Sequence, residues 1–236
     1  MANSYFRFKQ FTINQEKCAM KVGTDGCLLG AWADLSGSSN ILDIGCGSGL
    51  IALMAAQRCP DATITGIEID ADAALQAAEN VAESPWSDRI EIINNDFLTY
   101  QPQKRYNTIL SNPPYFTNSM KCPDDKRNKA RHDDTLTSIS LLRHAYELLS
   151  ENGKLSIVIP TDQQEVWQQQ AESIGYSVKR VTLIHTRANI APKRVLMEFC
   201  KESGITTAIE DFTLEEAPGC FTEEATKLLK PFYLKL

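Results

Sequence analysis

The residue types most suggestive of chemistry lie in the stretch Asn112-Pro113-Pro114-Tyr115. Two prolines fix the backbone and remove two N–H donors. Each also pushes the residue before it towards an extended conformation. What remains is a row of acceptors, the Asn112 side-chain oxygen and the carbonyls of Pro113 and Pro114, beside the aromatic face of Tyr115. Acceptors next to an aromatic plane suit a flat molecule bearing an NH2 group. Taken alone, the four residues also read as a proline turn that merely ends a strand.

A second constellation changes that balance. Asp43-Ile44-Gly45-Cys46-Gly47-Ser48-Gly49 follows an apolar run and precedes a segment, Leu50 to Gln57, that is apolar nearly all round. The dinucleotide fingerprint is G-x-G-x-x-G; here the third glycine falls one place early. The glycines still let the backbone approach a ligand closely. The spacing argues against a pyrophosphate cradle and for a nucleoside with a small charged tail. Glu68 lies about 20 residues further on, where a carboxylate can accept both ribose hydroxyls. Asp96 ends the next strand and is placed to accept from an exocyclic adenine amine. A tight αβ turn and solvated strand ends explain each feature singly, but not all of them at successive strand ends. Cys46, within the loop, reads as packing.

These residues need strands that end at a common edge. Ile41–Ile44, Thr63–Ile69, Arg89–Asn94, Tyr106–Ser111 and Lys154–Ile159 read as strands, with Tyr176–Ile184 and Val195–Cys200 as a closing pair. Helical patterns fall between them: Cys27–Leu35, Leu50–Gln57, residues 71–83 with Leu75, Ala78 and Ala82 on one face, and Ile139–Leu149, stopped by Asn152-Gly153. A further helix carries Trp167, Ala171 and Ile174. Thr24 or Asp25 is placed to cap the first helix, and Thr222 a last one with Ala225, Leu228, Leu229 and Phe232 on one face. Spaced aromatics from Tyr5 to Phe11 suggest an edge strand or hairpin. Alternating strands and helices predict an α/β fold: one doubly wound, mostly parallel seven-stranded sheet with an antiparallel closing strand. The chain reads as a single domain, with an N-terminal flanking segment (1–39), a core (40–202) and a C-terminal extension (203–236). Residues 117–134 form the longest stretch without apolar periodicity, a length usually functional or disordered.

Composition narrows the class. Apolar residues make up 43% of the 236 positions, enough for a real core. No apolar run approaches the ~20 residues of a membrane span, and Met1–Gln10 is too polar for a signal peptide. Seven cysteines without a CxxC pair and three histidines at no metal-like spacing suggest reduced thiols, no metal and a cytoplasmic setting. A net charge of −6 argues against indiscriminate nucleic-acid binding but leaves room for a local basic patch.

Together, Asp43–Gly49, Glu68, Asp96 and Asn112–Tyr115 resemble a class I S-adenosylmethionine-dependent methyltransferase, over about residues 20 to 200. The N-P-P-Y sequence is similar to that of enzymes methylating exocyclic or amide nitrogens. Phe6–Phe11, Cys18–Gly26, Leu29–Trp32 and the C-terminal Thr222–Glu224 with Leu228–Leu234 resemble the bacterial tRNA-valine adenine N6-methyltransferases, which act on adenosine 37 beside the anticodon. The resemblance implies S-adenosylmethionine as cofactor and the anticodon stem-loop of tRNA as partner; a monomer is favoured, the oligomeric state being left open by the sequence. It implies cofactor contacts at Thr24, Asp25, Asp43, Gly45, Gly47, Gly49, Glu68, Ile69, Asp96, Phe97 and Asn112, and catalytic roles for Asn112, Pro113, Pro114 and Tyr115.

Two basic stretches are candidates for RNA contact. One holds Lys121, Lys126, Arg127, Lys129 and Arg131 against two acids; the other holds Arg187, Lys193 and Arg194 with none. His132 and His185, within or beside them, suit solvent or phosphate contact. Ribosomal RNA and a protein glutamine amide are alternative substrates, although amide methyltransferases carry a helical domain ahead of the core. A DNA adenine enzyme would need a target-reading insert. A catalytically silent cofactor-binding module would have no evident use for N-P-P-Y.

Overall fold

The computed structural model describes residues 3–114 and 136–235. Its centre is β3 (Asn40–Ile44), whose Ile41, Leu42 and Ile44 are fully buried. Burial on both faces, without alternation, is the signature of a parallel strand covered by helices on either side. Parallel neighbours β4 (Thr63–Glu68) and β6 (Tyr106–Ser111) flank it, and β5 (Ile90–Asn94) pairs with β4. On the other side β7 (Leu149–Pro160) joins β6 in parallel, and β9 (Arg194–Cys200) runs antiparallel between β7 and β8 (Ser177–His185). The order is β5-β4-β3-β6-β7-β9-β8, with one further strand beyond β8.

Among the described residues the sheet therefore has eight strands, not the expected seven. The eighth, β10 (Ala208–Thr213), pairs in parallel with β8 at the edge. Its segment Ala-Ile-Glu-Asp-Phe-Thr has no apolar run, and charge on a strand is a device for protecting an exposed edge. Ile209 is 70% exposed there while Phe212 points into the core. Two short hairpins lie apart from this sheet: β1 (Tyr5–Arg7) with β2 (Thr12–Asn14), and β11 (Glu215–Ala217) with β12 (Cys220–Phe221).

Two apolar layers sandwich the sheet. One gathers α1 (Thr24–Trp32), α2 (Leu50–Arg58), Val81 from α3 (Ala71–Ala82) and the last helix, α6 (Glu223–Leu229). The other gathers α4 (Ser138–Leu148) and α5 (Gln164–Ile174), with Trp167 fully buried. The aromatics near the N-terminus belong to the first layer. The Phe8 ring stacks on Phe11 at 4.6 Å and on Tyr233 at 5.8 Å, and the Lys9 amide donates to the Phe232 carbonyl at 2.8 Å. The segment Phe8–Phe11 is thereby packed against Phe232 and Tyr233. Thr222 caps α6 as expected, accepting from the Ala225 amide.

Three local expectations are corrected. The buried face of α3 carries Ala73, Ala74, Gln76, Ala77, Asn80 and Val81; Leu75, Ala78 and Ala82 face solvent. Apolarity points to the wrong face because two amides on the inner face are satisfied by hydrogen bonds. Neither Thr24 nor Asp25 caps α1, since Gly23 occupies the cap position. Helix α4 stops at Leu148, four residues before Asn152-Gly153, which lie within β7. A Cβ on Gly153 would come within 2.9 Å of the Ser150 carbonyl and 3.1 Å of that of Tyr106, so glycine is needed for close backbone approach rather than to end a helix.

Candidate active site

Ile44 lies level with Ile67 of β4 and with Ser111 of β6, and Glu68 lies level with Asn94 of β5. This register brings the glycine loop, Glu68, Asp96 and Asn112 to one carboxyl edge, where ligands of open α/β sheets bind. The predicted cofactor and catalytic residues outside Tyr115 thus converge, with α1 supplying Thr24 and Asp25. Tyr115 and Lys121, Lys126, Arg127, Lys129 and Arg131, with His132, lie outside the described residues.

The loop is bent over β4. The Gly45 and Cys46 amides both donate to the Ile67 carbonyl, at 2.8 and 3.0 Å. Gly45, Gly47 and Gly49 have φ of 65°, 54° and 82°, a region that residues with a side chain avoid. A Cβ on Gly47 would meet nothing within 4 Å, so the loop faces open space there. Gly49 serves packing, since its Cβ would touch that of Ala77 in α3 at 3.4 Å.

Glu68 ties the loop to the strand end. One carboxylate oxygen accepts from the Gly47 amide at 2.9 Å and the other from the Asp70 amide at 3.0 Å. A carboxylate oxygen has room for a second donor, so both can also take a hydroxyl. Ile69, next along, is 68% exposed and offers an apolar surface. Asp96 accepts from the Leu98 amide at 2.9 Å and so fixes the turn after β5. Phe97 is buried, its ring edge-on to His144 at 4.8 Å; its side chain belongs to the core.

Unpaired polar atoms mark the same edge. Buried side-chain oxygens are normally hydrogen-bonded, yet among the described residues Asp43 Oδ1, Asn112 Oδ1 and Thr161 Oγ1, at the carboxyl ends of β3, β6 and β7, have no partner, as do Gln57 Oε1 in α2 and Thr65 Oγ1 within β4. Asp43 is fully buried and its Oδ2 accepts from the Ala52 amide at 3.0 Å. Burial, reinforced by nearby Glu68 and opposed by that hydrogen bond, pushes its carboxyl up to about 7. A cation would relieve the unpaired oxygen. Asn112 sits against α1, because Gly26 has no side chain: a Cβ there would lie 4.0 Å from Asn112 Nδ2 and 3.2 Å from Leu50. Pro113 is buried and Pro114 exposed. The Asn112 oxygen therefore has lost water without gaining a donor among the described residues.

Asp25 accepts from Arg194 Nε at 2.8 Å. This ion pair joins α1 to the start of β9, so Arg194 does not stand out as a free cation. Arg187 and Lys193 are exposed on the loop between β8 and β9, at the same edge. His185 holds that loop: its ring nitrogens lie 2.8 Å from the Ile190 carbonyl and 2.8 Å from an Asp211 carboxylate oxygen. Among the described residues no group of three or more His, Cys, Asp or Glu is arranged to hold a metal ion. No described helix is long and apolar enough to cross a membrane.

Sequence reasoning missed Asn80. It is 1% exposed on the inner face of α3, and its amide nitrogen donates to the Ser48 carbonyl in the glycine loop and to the Asn14 carbonyl in β2. Its spacing from Ala73 and Ala77 was the available signal, since residues at those intervals share a helical face.

The geometry can be set beside known proteins. Residues 27–188 match the family model described as "Methyltransferase small domain". Among solved structures, the chain is similar to a predicted O-methyltransferase from Agrobacterium tumefaciens (21% identity, TM-score 0.68, covering 88% of this chain and 96% of the other). A TehB-like SAM-dependent methyltransferase from Corynebacterium glutamicum matches at 16% identity and a TM-score of 0.53, covering 76% and 89%. These two likenesses concern the fold. Curated relatives named tRNA1(Val) (adenine(37)-N6)-methyltransferase are far nearer: 49% identical in Phocaeicola vulgatus, 47% in Bacteroides fragilis and 46% in Trichodesmium erythraeum, each match covering 100% of both chains. With its glycine loop and N-P-P-Y strand end on one sheet edge, and this full-length likeness, the chain belongs to the tRNA1(Val) (adenine(37)-N6)-methyltransferase family.

Proposed function

We propose that the protein transfers the methyl group of S-adenosylmethionine to the exocyclic N6 of adenosine 37 in tRNA1(Val). The observation that carries the reading is Asn112 Oδ1, a buried acceptor without a donor among the described residues, at the end of β6, beside the glycine loop and Glu68. An N–H of an adenine amine is the donor it lacks.

The residues fit the cofactor. Gly45 and Gly47 keep the loop open while Gly49 packs it on α3, Glu68 accepts ribose hydroxyls, Ile69 covers an adenine face, and Asp96 with the turn at Phe97 meets its edge. Asp43, with one unpaired oxygen in a fully buried site, favours the positively charged end, and Thr24 and Asp25 close that side from α1. S-adenosylmethionine, when bound, supplies an already activated methyl group on its sulfonium.

What the protein then contributes is placement. An adenine amine is a poor nucleophile because its lone pair is delocalised into the ring. Asn112 Oδ1 and the Pro113 carbonyl accept one N–H each, which holds the nitrogen nearer tetrahedral geometry. The same two acceptors stabilise the positive charge that builds on it, as donors in an oxyanion hole stabilise negative charge. The proton left on the product nitrogen passes to water, so no histidine or lysine is needed. The base must leave its stack to reach the edge, at a cost of a few kcal/mol that is smaller in a loop than in a duplex.

The test is transfer of label from S-adenosylmethionine to tRNA purified from cells lacking this gene, with ribosomal RNA and a protein extract in parallel. Label recovered from tRNA as N6-methyladenosine is the expected result. Label entering only protein would overturn it and favour an amide substrate.

A further inference from the structure

We propose that a cavity between the β8–β9 loop and the segment following β10 is a second binding site, taking an amine-bearing base of a nucleotide that flanks the methylated adenosine. The proposal rests on the reading of the substrate as RNA.

The cavity measures about 590 Å³, within the range of small-molecule sites. Arg187, Asn189 and Ile190 line one side, and Thr213, Glu215 and Glu216 the other. Its walls are tied together. The Leu214 and Glu215 amides donate to the carbonyls of His185 and Thr186, at 2.8 and 2.9 Å, and Thr222 Oγ1 donates to the Thr213 carbonyl at 2.7 Å. His185 braces the loop through Ile190 and Asp211.

Its position links it to the methylation site. Strand β8 runs parallel to β10 and antiparallel to β9, which is antiparallel to β7. The carboxyl end of β8 therefore lies at the same edge as Asn112. Three strand spacings of ~4.8 Å separate β6 from β8, or about 14 Å. Stacked nucleotides advance ~3.4 Å each, so the cavity is within a few nucleotides of the target. Continuous contacts bridge the gap: the Thr161 amide donates to the Lys193 carbonyl, Arg194 pairs with Asp25, and Gly26 lies against Asn112.

The chemistry selects a base over a phosphate. Two carboxylates beside one guanidinium repel a phosphate, but they accept N–H groups from a base edge. Arg187 donates to ring nitrogens and carbonyls, the pairing that arginine makes with guanine. Ile190 offers an apolar face to the ring. Guanine, cytosine and adenine carry the exocyclic amine that Glu215 and Glu216 can receive; uracil does not. Lys193, exposed on the same loop, is left for the backbone phosphate.

The test uses full-length protein and tRNA transcripts in which each loop nucleotide flanking the target is changed to uridine in turn. The variant is the double Asn189→Ala, Glu216→Ala, both exposed positions. KM for tRNA, kcat and S-adenosylmethionine affinity are measured separately. With wild type, uridine at one flanking position should raise KM about 10-fold, the loss of one base contact. The double variant should raise KM for unaltered tRNA by a similar factor, with kcat and cofactor affinity retained, and should show no added penalty at that position. An unchanged KM, or a uridine penalty that persists in full, overturns the proposal while methylation of tRNA by wild type stands. If wild type methylates no tRNA, the RNA reading falls and this site falls with it.

Discussion

The Asn80 side-chain amide grips the backbone of Asn14 from both sides: its oxygen accepts from the Asn14 amide at 2.9 Å and its nitrogen donates to the Asn14 carbonyl at 2.8 Å. The second hydrogen on that nitrogen goes to the Ser48 carbonyl at 2.9 Å, so one buried side chain joins the N-terminal hairpin, α3 and the glycine loop. Asn80→Ala should leave these backbone groups short of partners, at roughly 1–3 kcal/mol for each group that water does not reach. Asn80→Asp keeps the acceptor and loses both donors, and should be no better. Urea unfolding and S-adenosylmethionine titration measure the two consequences; a variant with wild-type stability and cofactor affinity would refute the role.

Asn112→Ala removes the unpaired acceptor at the end of β6. By analogy with deletion of an oxyanion-hole donor, turnover should fall about 10²–10³-fold. Stability should hold or rise, because an unsatisfied buried oxygen disappears. Single-turnover methylation with saturating cofactor reads the first and thermal unfolding the second. Retained turnover would remove Asn112 from the proposed mechanism.

Asp43 couples stability and cofactor binding to pH. Its carboxyl is raised from 3.8 to about 7 by burial. A raised folded-state value means the ligand-free native protein holds a proton that the unfolded chain has released. This group's stabilising contribution is therefore present below about 4 and lost as pH rises to about 7. Binding of a positively charged cofactor favours the carboxylate, so affinity should increase from pH 6 to pH 8. Asp43→Asn should flatten both profiles, and calorimetric titration at several pH values checks this.

His185 behaves with its own sign. Both ring nitrogens face acceptors, and only the imidazolium can donate to Ile190 and Asp211 together. The Ile190 carbonyl first, then Asp211, raises its pKa above 6.5. The tether on the 186–193 loop is complete below 6.5 and weakens as pH rises through the elevated value. Amide exchange at Ala188–Ile190, corrected for intrinsic rates, should show protection lost with rising pH in wild type and absent throughout in His185→Ala.

Phe8 is 1% exposed between Phe11 and Tyr233. Phe8→Ala should cost about 3–5 kcal/mol, the usual range for such truncations in a core. The loss should appear as a lower urea midpoint with an unchanged slope.

The alternation of strand and helix, the glycine loop and the acceptors of Asn112 and Pro113 were all legible in the sequence, because each follows from local rules. Apolar runs mark buried strands, positive φ demands glycine, and proline deletes donors. Even the convergence of Glu68, Asp96 and Asn112 could be anticipated, since parallel strands bring their carboxyl ends together. Only the tertiary structure decided which face of α3 is buried, because Asn80 becomes acceptable inside once the distant backbone of Asn14 and Ser48 satisfies it, and Gln76 once the Lys17 amide and the neighbouring Glu79 carboxylate do. It also decided that β10 adds an eighth strand, whose charged segment gains its pairing from β8. And it joined Asp25 to Arg194, 169 positions apart in the chain, turning a residue that reads locally as a free cation into half of an ion pair. Hydrogen-bond and charge partners of this kind are set by where the chain folds back on itself, and no local pattern encodes them.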